Sequence, residues 1–285
     1  MTCYLNGEFL PLEEARIPVL DRGFIFGDGV YEVIPTYDRR PFRLAGHLAR
    51  LGRSLDAIRI GNPHPDDEWA RLIAELVSRQ QDNDQSIYIQ VTRGVARRDH
   101  AFPRDISPTV FMMASRLNLP GPELVAGGVV GVTATDNRWF RCDIKSTALL
   151  ANVLLRQFAV DHGAAEAVLL RNGFLTEGSA SNIFVVRDGR IATPAKNHLN
   201  LPGITADAIL DLAQAHAFPL EQRDVHETEV RAADELWLAS STREVLAITT
   251  LDGRPVGTGR PGPVFRRMHA LFQAHTREAT TGEGP

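Results

Sequence analysis

Lysine is nearly absent from this sequence, although positive charge is not. Of the 31 lysines and arginines among 285 residues, only Lys145 and Lys196 are lysines. Arginine keeps its proton at neutral pH, whereas a lysine amine can lose its proton and attack a carbonyl carbon. Only these two side chains could therefore form an imine with a carbonyl compound.

Other absences exclude whole classes of protein. No apolar run approaches the roughly 20 residues of a membrane span, and a net charge of −4 provides no basic surface for nucleic acid. The start of the chain, MTCYLNGEFL, lacks the charged and apolar regions of a secretory signal, so a cytoplasmic location is expected. Cys3 and Cys142 cannot build a disulfide framework and lack metal-site spacing, so we expect two reduced thiols and no metal. Small-molecule chemistry becomes the favoured kind of function.

The chain is long enough for two domains, and its hydrophobic pattern is mixed α/β. The Pro- and Gly-containing stretch at residues 119–129 is typical of a linker. We therefore expect a smaller N-terminal α/β domain at 1–118 and a larger C-terminal α/β domain at 130–285 that carries Lys145. The groove between two such domains is the natural place for a ligand.

Local patterns predict several elements. Apolar residues at spacings of three and four indicate a helix over residues 44–58, and a second apolar helix is predicted over 147–162. The dipeptides NG at 172–173 and DG at 188–189 predict the tight turns of two hairpins. The tail EATTGEGP is expected to be disordered.

Lys145 lies in the segment RWFRCDIKSTALLANVLL, after a strand-like stretch and before the second of these helices. Because Ile144 and an apolar helix flank it, its ammonium is expected to be partly removed from water, which disfavours the charged form. A surface lysine at the entry of a helix is the simpler interpretation of this segment alone, since lysines are mostly exposed.

Glu177 lies between two predicted strands, in LTEGSASNIF, where small residues leave space around it. A carboxylate there could face the ring nitrogen of a pyridine and keep it protonated, which makes the ring an electron sink. The alternative is a turn glutamate in solvent.

Three pieces of the chain could bind a phosphate. They are Arg50 on the first helix, the helix start at Gly203-Ile204-Thr205, and the hydroxyl run that begins with Ser240 and Ser241. Helix N-termini bind anions, and a guanidinium adds a bidentate contact. Thr205 could equally be an ordinary helix cap.

The loop VARRDHAFP places Arg98 and His100 close together, beside Arg97, in a cluster suited to a small carboxylate. A solvated basic loop is the alternative.

The glycine-rich segment DRGFIFGDGVYEV precedes a strand. A dinucleotide-binding loop lies between a strand and a helix, so this segment is not predicted to be one.

Together the segments DRGFIFGDGVYEV, VTRGVARRDHAFP, RWFRCDIKS, TEGSASNIF and PGIT resemble the fold-type IV aminotransferases that use pyridoxal 5'-phosphate. Within that family the chain is most similar to the D-amino-acid (D-alanine) transaminases, from about residue 4 to about residue 275. The resemblance implies a mixed α/β fold of two domains, with the cofactor in the groove between them, and a homodimer.

The resemblance also implies a role for each matching residue. Lys145 would be the Schiff-base lysine and the proton carrier, and Glu177 would partner the pyridine nitrogen. The phosphate would be bound by Arg50, Ile204, Thr205 and Ser241, and the ring would be lined by Leu201 and Ser240. The substrate carboxylate would be held by Tyr31, Arg98 and His100, the last two from the other subunit.

The reaction implied is transamination of a D-amino acid with a 2-oxo acid such as 2-oxoglutarate or pyruvate, with ping-pong kinetics. Three alternatives stay open: a lyase of the aminodeoxychorismate type, a branched-chain or amine transaminase, and a binding protein without cofactor. One departure from the family is Ala180, which stands where a serine is expected between Ser179 and Ser181. A hydroxyl near the cofactor is therefore expected to be missing.

Overall fold

In the computed structural model, which describes residues 1–281 and the side chains of residues 1–278, the chain forms two units. The first contains Met1–Leu117 together with Ile144–Leu149, and the second contains Asn118–Asp143 and Leu150–Glu278. Lys145 therefore lies in the first unit and not, as expected from the sequence, in the C-terminal one. The reason is that Ile144 packs into the hydrophobic core of the first unit.

Within the described residues, the first unit is built on a six-stranded antiparallel sheet in the order β2-β1-β6-β5-β3-β4. Its elements, in chain order, are β1 (Thr2–Leu5), β2 (Glu8–Pro11), α1 (Arg22–Phe26), β3 (Gly29–Tyr37), β4 (Arg40–Pro41), α2 (Leu44–Ala57), α3 (Asp66–Ser78), β5 (Gln85–Thr92) and β6 (Thr109–Arg116).

The helix predicted over residues 44–58 is confirmed by α2. Its apolar stripe, with Leu51 and Leu55, is buried against Trp69 and Leu72 of α3 and against Ile34 of the sheet, in one hydrophobic core. Burying each such side chain stabilises the fold by about 1.5–3 kcal/mol.

In the part of the chain that the structure describes, the second unit has a nine-stranded sheet. Its strand order is β12-β11-β10-β13-β14-β7-β8-β9, with β15 paired to β14. Its elements, in chain order, are α4 (Pro122–Gly127), β7 (Val129–Thr135), α5 (Leu150–Asp161), β8 (Glu166–Arg171), β9 (Phe174–Gly178), β10 (Asn182–Arg187), β11 (Arg190–Thr193), α6 (Ile204–Ala215), β12 (Leu220–Gln222), α7 (Glu227–Arg231), β13 (Glu235–Ser240), β14 (Glu244–Leu251), β15 (Arg254–Pro255) and α8 (Pro263–Thr281).

Both predicted hairpin turns are confirmed. Asn172 and Gly173 have φ of 53° and 82°, and Asp188 and Gly189 have φ of 50° and 73°. Positive φ at both central residues is the type I′ geometry that matches the twist of the flanking strands.

Three expectations need correction. The stretch at 119–129 is not an irregular linker, because Pro122 begins the short helix α4. The helix predicted over 147–162 begins only at Leu150, since Thr147 instead bonds the backbone of Gly29. The C-terminal helix continues to Thr281, so the first residues of the expected disordered tail are helical, and the rest of the tail lies outside the described residues.

Among the described residues, no helix combines the length and the apolar character needed to span a bilayer.

Candidate active site

The backbone of Lys145 lies beside β3 in the first unit. Its carbonyl oxygen accepts a hydrogen bond from the Tyr31 amide at 2.9 Å, and its own amide donates to the Ser54 hydroxyl at 3.3 Å. The strand expected before Lys145 is not formed in the described chain, where a single bridge between Ser146 and Val30 takes its place. The Lys145 side chain is half-buried, and its Nζ lies 4.2 Å from the centre of the Tyr31 ring. This face provides an attractive site for the ammonium.

Arg50 belongs to a buried charged group in the same unit. Its Nε and Nη2 donate to the two carboxylate oxygens of Glu32 at 2.7 and 2.8 Å, and His47 Nδ1 lies 2.9 Å from Glu32. Burial alone would raise the pKa of Glu32, but Arg50 and His47 lower it to about 2, while burial lowers the pKa of His47. Glu32 is therefore ionised at neutral pH, and it fixes the plane of the Arg50 guanidinium.

Glu32 and His47 were missed by sequence reasoning, although a signal for Glu32 exists. Val30, Glu32 and Ile34 alternate along β3 onto one buried face. A carboxylate on such a face needs a buried partner, and Arg50 on the apolar side of α2 was the available one.

Glu177 lies at the end of β9 in the second unit and is buried. Its carboxylate accepts hydrogen bonds from Arg138, from the Leu201 amide at 3.0 Å and from the Asn182 amide group at 3.5 Å. Burial raises the pKa of Glu177 to about 7, although Arg138 and the Leu201 amide oppose this rise. The alternative of a turn glutamate in solvent is therefore wrong, and a buried carboxyl with a near-neutral pKa is well matched to a cationic partner.

Arg138 holds Glu177 in place and is itself held by Asp136. Its Nε and Nη2 each donate to Asp136 at 2.9 Å, and the Arg171 guanidinium lies 3.0 Å from the same carboxylate. Thr176 donates a further hydrogen bond to Asp136 at 2.8 Å. Sequence reasoning missed this chain of groups, because no motif connects residue 138 to residue 177.

The residues of the second unit that are predicted to contact the cofactor lie on or next to α6 and β13, which pack together. Asn182 at the start of β10 pairs with Ala239, directly before Ser240 at the end of β13, and α6 packs against β13. The backbone N-cap of α6 is Gly203, and no side chain caps this helix, so the alternative of Thr205 as an N-cap is wrong. Amides in the first turn of such a helix are donors available to an anion.

Ser240 gives independent support for a bound group. Its hydroxyl oxygen is buried and has no hydrogen-bond partner in the described structure. A buried hydroxyl normally finds a partner, so an unpaired one indicates a ligand or water at this position. The unpaired Ser240 hydroxyl and the uncapped start of α6 therefore fit an anionic group, and Glu177 is a buried carboxylate in the same unit.

Arg98 and His100 are exposed on an irregular loop of the first unit. Both contact Phe26: the Arg98 guanidinium carbon lies 5.4 Å from the ring centre, and the His100 ring centre also lies 5.4 Å away. Within the described residues of one chain, no hydrogen bond or ring contact joins either side chain to Tyr31, which instead packs against Tyr88 at 5.7 Å. Tyr31, Arg98 and His100, the three residues predicted to hold the substrate carboxylate, are called the carboxylate trap below. Within one chain the structure brings Arg98 and His100 together and leaves Tyr31 separate from them.

Glu166 organises the turn around Ala180. It is fully buried and accepts hydrogen bonds from the Ser179 amide at 2.9 Å, the Ser181 hydroxyl at 2.7 Å and the Arg243 guanidinium. The Ser179 hydroxyl also donates to Glu166, so the hydroxyls on both sides of Ala180 are bound to this one carboxylate. Ala180 itself is exposed.

The other lysine is paired with a carboxylate, and the two cysteines are buried. Lys196 forms an ion pair with Asp207, at 2.6 Å between Nζ and Oδ1. Both cysteines are free and buried, which confirms the expectation of reduced thiols, and burial raises the pKa of Cys142 to about 11. Of the two lysines, Lys145 is the one that lies against the Tyr31 ring. Its charge also acts on His47, which belongs with Arg50 to the buried charged group of the same unit.

Comparison with known proteins gives a consistent result. The family model described as amino-transferase class IV matches residues 29–251. The chain is 38% identical to a D-alanine aminotransferase of Staphylococcus aureus (strain MW2), over 95% of this chain and 96% of the relative. It is also 38% identical to a D-alanine aminotransferase of Bacillus licheniformis, over 96% of each.

Among solved structures, the fold is similar to the branched-chain amino acid aminotransferase of Escherichia coli. The TM-score is 0.88 at 26% sequence identity, over 96% of this chain and 93% of that chain.

Proposed function

Because this chain belongs to the class IV aminotransferase family, we propose that it transfers the amino group of D-amino acids of the D-alanine type to a 2-oxo acid such as 2-oxoglutarate or pyruvate. The observation that carries this proposal is Lys145, which is held against Tyr31 in a chain with only one other lysine, itself paired with Asp207. A primary amine beside an aromatic face is suited to covalent attachment of a carbonyl group.

The proposed cofactor is pyridoxal 5'-phosphate. The uncapped start of α6 would donate to its phosphate, and the unpaired Ser240 hydroxyl would contact its ring. Ile204, Thr205 and Ser241 would donate to the phosphate together with Arg50, and Leu201 and Ser240 would line the ring. When bound, this cofactor supplies an electron sink for negative charge at the substrate α-carbon.

Glu177 is proposed to pair with the protonated ring nitrogen. Burial raises the pKa of its carboxyl to about 7, because only Arg138 and the Leu201 amide oppose this rise. A second cation beside Glu177 would lower the pKa again and favour the ionised form. Arg138 keeps the carboxylate oriented throughout, because Asp136 fixes the other side of its guanidinium.

Lys145 Nζ would hold the carbonyl carbon of the cofactor, and the free amine of Lys145 would accept the proton from the substrate α-carbon. Tyr31 holds the ammonium that results, since its ring face lies 4.2 Å from Nζ. Tyr31 is proposed to bind the substrate carboxylate together with Arg98 and His100 of the other subunit, and this binding decides which face of the α-carbon meets Lys145. The keto acid leaves before the acceptor binds, so the kinetics are ping-pong.

A cytoplasmic homodimer is proposed as the working form, with the trap residues supplied by the other subunit. The exposed apolar side chains of α5 support an association surface, because Leu150, Val153, Leu154 and Phe158 follow one helix face at 72%, 59%, 59% and 37% exposure. Two free cysteines fit a reducing compartment. A Leu154→Arg protein should run as a monomer in light scattering if α5 is the interface.

The second candidate is branched-chain transamination, which the structural likeness to the Escherichia coli enzyme favours. A panel of D- and L-amino acids, each with 2-oxoglutarate or pyruvate, separates the two. We expect D-alanine to turn over repeatedly only when an acceptor is present, with no more than one equivalent of pyruvate per active site released in its absence, and Lys145→Ala to be inactive and colourless. A preference for L-leucine or L-valine would reject the D-amino-acid proposal, and release of pyruvate over many turnovers without an acceptor would indicate a lyase.

A further inference from the structure

The loop that carries Arg98 and His100 has no regular secondary structure of its own. Residues 97–102, called the trap loop below, contain neither helix nor strand. Exposed side chains on an irregular loop lose much conformational entropy when they bind a small anion, unless contacts from the rest of the fold hold the loop.

Arg22, at the start of α1, holds the backbone of the trap loop. Its Nη1 donates to the carbonyl oxygen of Asp99, and its guanidinium lies 3.4 Å from the carbonyl oxygens of His100 and Ala101. Arg22 is only 3% exposed, although it is a charged residue. Three consecutive carbonyl groups are thus bound by one planar, buried cation.

Asp28 fixes Arg22 from the other side. It accepts from Arg22 Nε at 2.7 Å and from Arg93 at 2.8 and 3.0 Å. Arg93 in turn donates to the carbonyl of Ile58 at 2.7 Å, at the end of α2, and lies 3.7 Å from the centre of the Phe102 ring. The trap loop is therefore connected to α1, to Asp28 directly before β3 and to the end of α2 by a continuous set of charge-assisted hydrogen bonds.

Phe26, the last residue of α1, contacts the functional side chains themselves. Its ring centre lies 4.8 Å from the Arg22 guanidinium carbon and 5.4 Å from both the Arg98 guanidinium carbon and the His100 ring centre. A flat π surface that contacts a cation and an imidazole restricts both to a small range of rotamers.

We propose that Arg22, Phe26 and Asp28 are positioning residues that set the affinity of the trap loop for the substrate carboxylate. Arg22 and Asp28 fix the backbone of the loop, and Phe26 fixes the directions of Arg98 and His100. This inference rests on the proposed role of Arg98 and His100 in carboxylate binding. It adds three residues, none of which needs to touch the substrate.

The chain offers matched controls for the variants Arg22→Lys and Phe26→Leu. Arg39 also donates to three backbone carbonyls, those of Val77 in the last turn of α3 and of Gln80 and Gln81 just after it, in a region with no proposed role in binding. Phe9 also has a guanidinium over its ring, with Arg79 at 4.5 Å. Arg39→Lys and Phe9→Leu therefore remove the same kinds of contact elsewhere in the first unit.

The test measures the Kd for propionate, a carboxylate without an amino group, by calorimetry on the holoenzyme, together with KM and kcat for D-alanine. We expect Arg22→Lys and Phe26→Leu to raise the propionate Kd and the D-alanine KM by about tenfold each, with a smaller change in kcat. Phe26→Tyr keeps the ring and should bind propionate as the wild type does. Arg39→Lys and Phe9→Leu should do the same.

Three results would overturn the inference. The first is a propionate Kd for Arg22→Lys and Phe26→Leu no higher than that of the two controls. The second is an increase of KM without an increase of the propionate Kd. The third is an Arg98→Gln protein that binds propionate as tightly as the wild type, which would reject the proposed carboxylate trap as well. An Arg98→Gln protein with weakened binding, beside normal Arg22→Lys and Phe26→Leu proteins, would reject the positioning role alone.

Discussion

The ionisation of Glu177 in the cofactor-free protein depends on two opposing influences, burial and the contacts with Arg138 and the Leu201 amide, and their balance can be measured. Burial raises its pKa from 4.5 to about 7, against the opposing influence of Arg138 and the Leu201 amide. Between these two pH values the folded chain binds more protons at Glu177 than the unfolded chain does. The free energy of unfolding must therefore fall as the pH rises through this interval, and the stabilisation is fully present only below pH 4.5.

The size of the effect follows from the same values. Each pKa unit corresponds to about 1.4 kcal/mol, so a rise from 4.5 to about 7 amounts to about 3 kcal/mol across the interval. Glu177→Gln cannot titrate and lacks this contribution. We expect the unfolding free energy of the wild type, taken relative to Glu177→Gln, to fall by about 3 kcal/mol between about pH 4.5 and about pH 7.5.

The assay is urea unfolding of both proteins without cofactor at several pH values, followed by tryptophan fluorescence, to which Trp237, fully buried in the same unit, contributes. Taking the difference between the two proteins cancels the titration of all other groups. A constant difference, or a difference that grows in favour of the wild type as the pH rises, would refute the reasoning. A constant difference would mean that the ion pair with Arg138 offsets the cost of burial, and a growing difference would mean that the ion pair outweighs that cost.

Three further predictions follow from other contacts. Glu32→Gln removes the buried counter-ion of Arg50 and should destabilise the protein by about 3–5 kcal/mol in urea unfolding; a loss below about 1 kcal/mol would contradict the buried pair. Because burial raises the pKa of Cys142 to about 11, only about one thiol in a thousand is ionised at pH 8, so Ellman's reagent should react with it rapidly only after denaturant is added. A Cβ at Gly203 would overlap the side-chain oxygen of Asn182, so Gly203→Ala should destabilise by about 1–3 kcal/mol in the same unfolding assay, whereas Gly61→Ala, with open space around it, should not.

Elements determined by short-range pattern could be predicted from the sequence. The turns at 172–173 and 188–189 follow from residues that tolerate positive φ, and α2 follows from apolar spacing within 14 residues. The family relationship was also accessible, because its motifs are contiguous stretches of sequence.

Pairings between distant residues could not be predicted in the same way. Arg138 meets Glu177 across 39 positions, and Arg22 meets the carbonyl of Asp99 across 77. Such pairs become visible only after the strands are assembled, since no local propensity encodes which buried charge meets which. The same holds for Lys145, whose strand-like environment comes from β3 and not from its own neighbours in sequence.

The scarcity of lysine, together with the ion pair between Lys196 and Asp207, affects how this protein reacts with aldehydes and how it can be mapped by digestion. Apart from its N-terminus, the chain presents two primary amines, and the one outside the proposed active site is engaged by a carboxylate at 2.6 Å. Aldehydes therefore meet few competing amines on this protein, so its surface is poorly susceptible to glycation and to off-site adducts. Digestion after lysine would also cut the chain only behind residues 145 and 196, so a reduced adduct on Lys145 would be recognised at once as a missed cleavage joining residues 1–196.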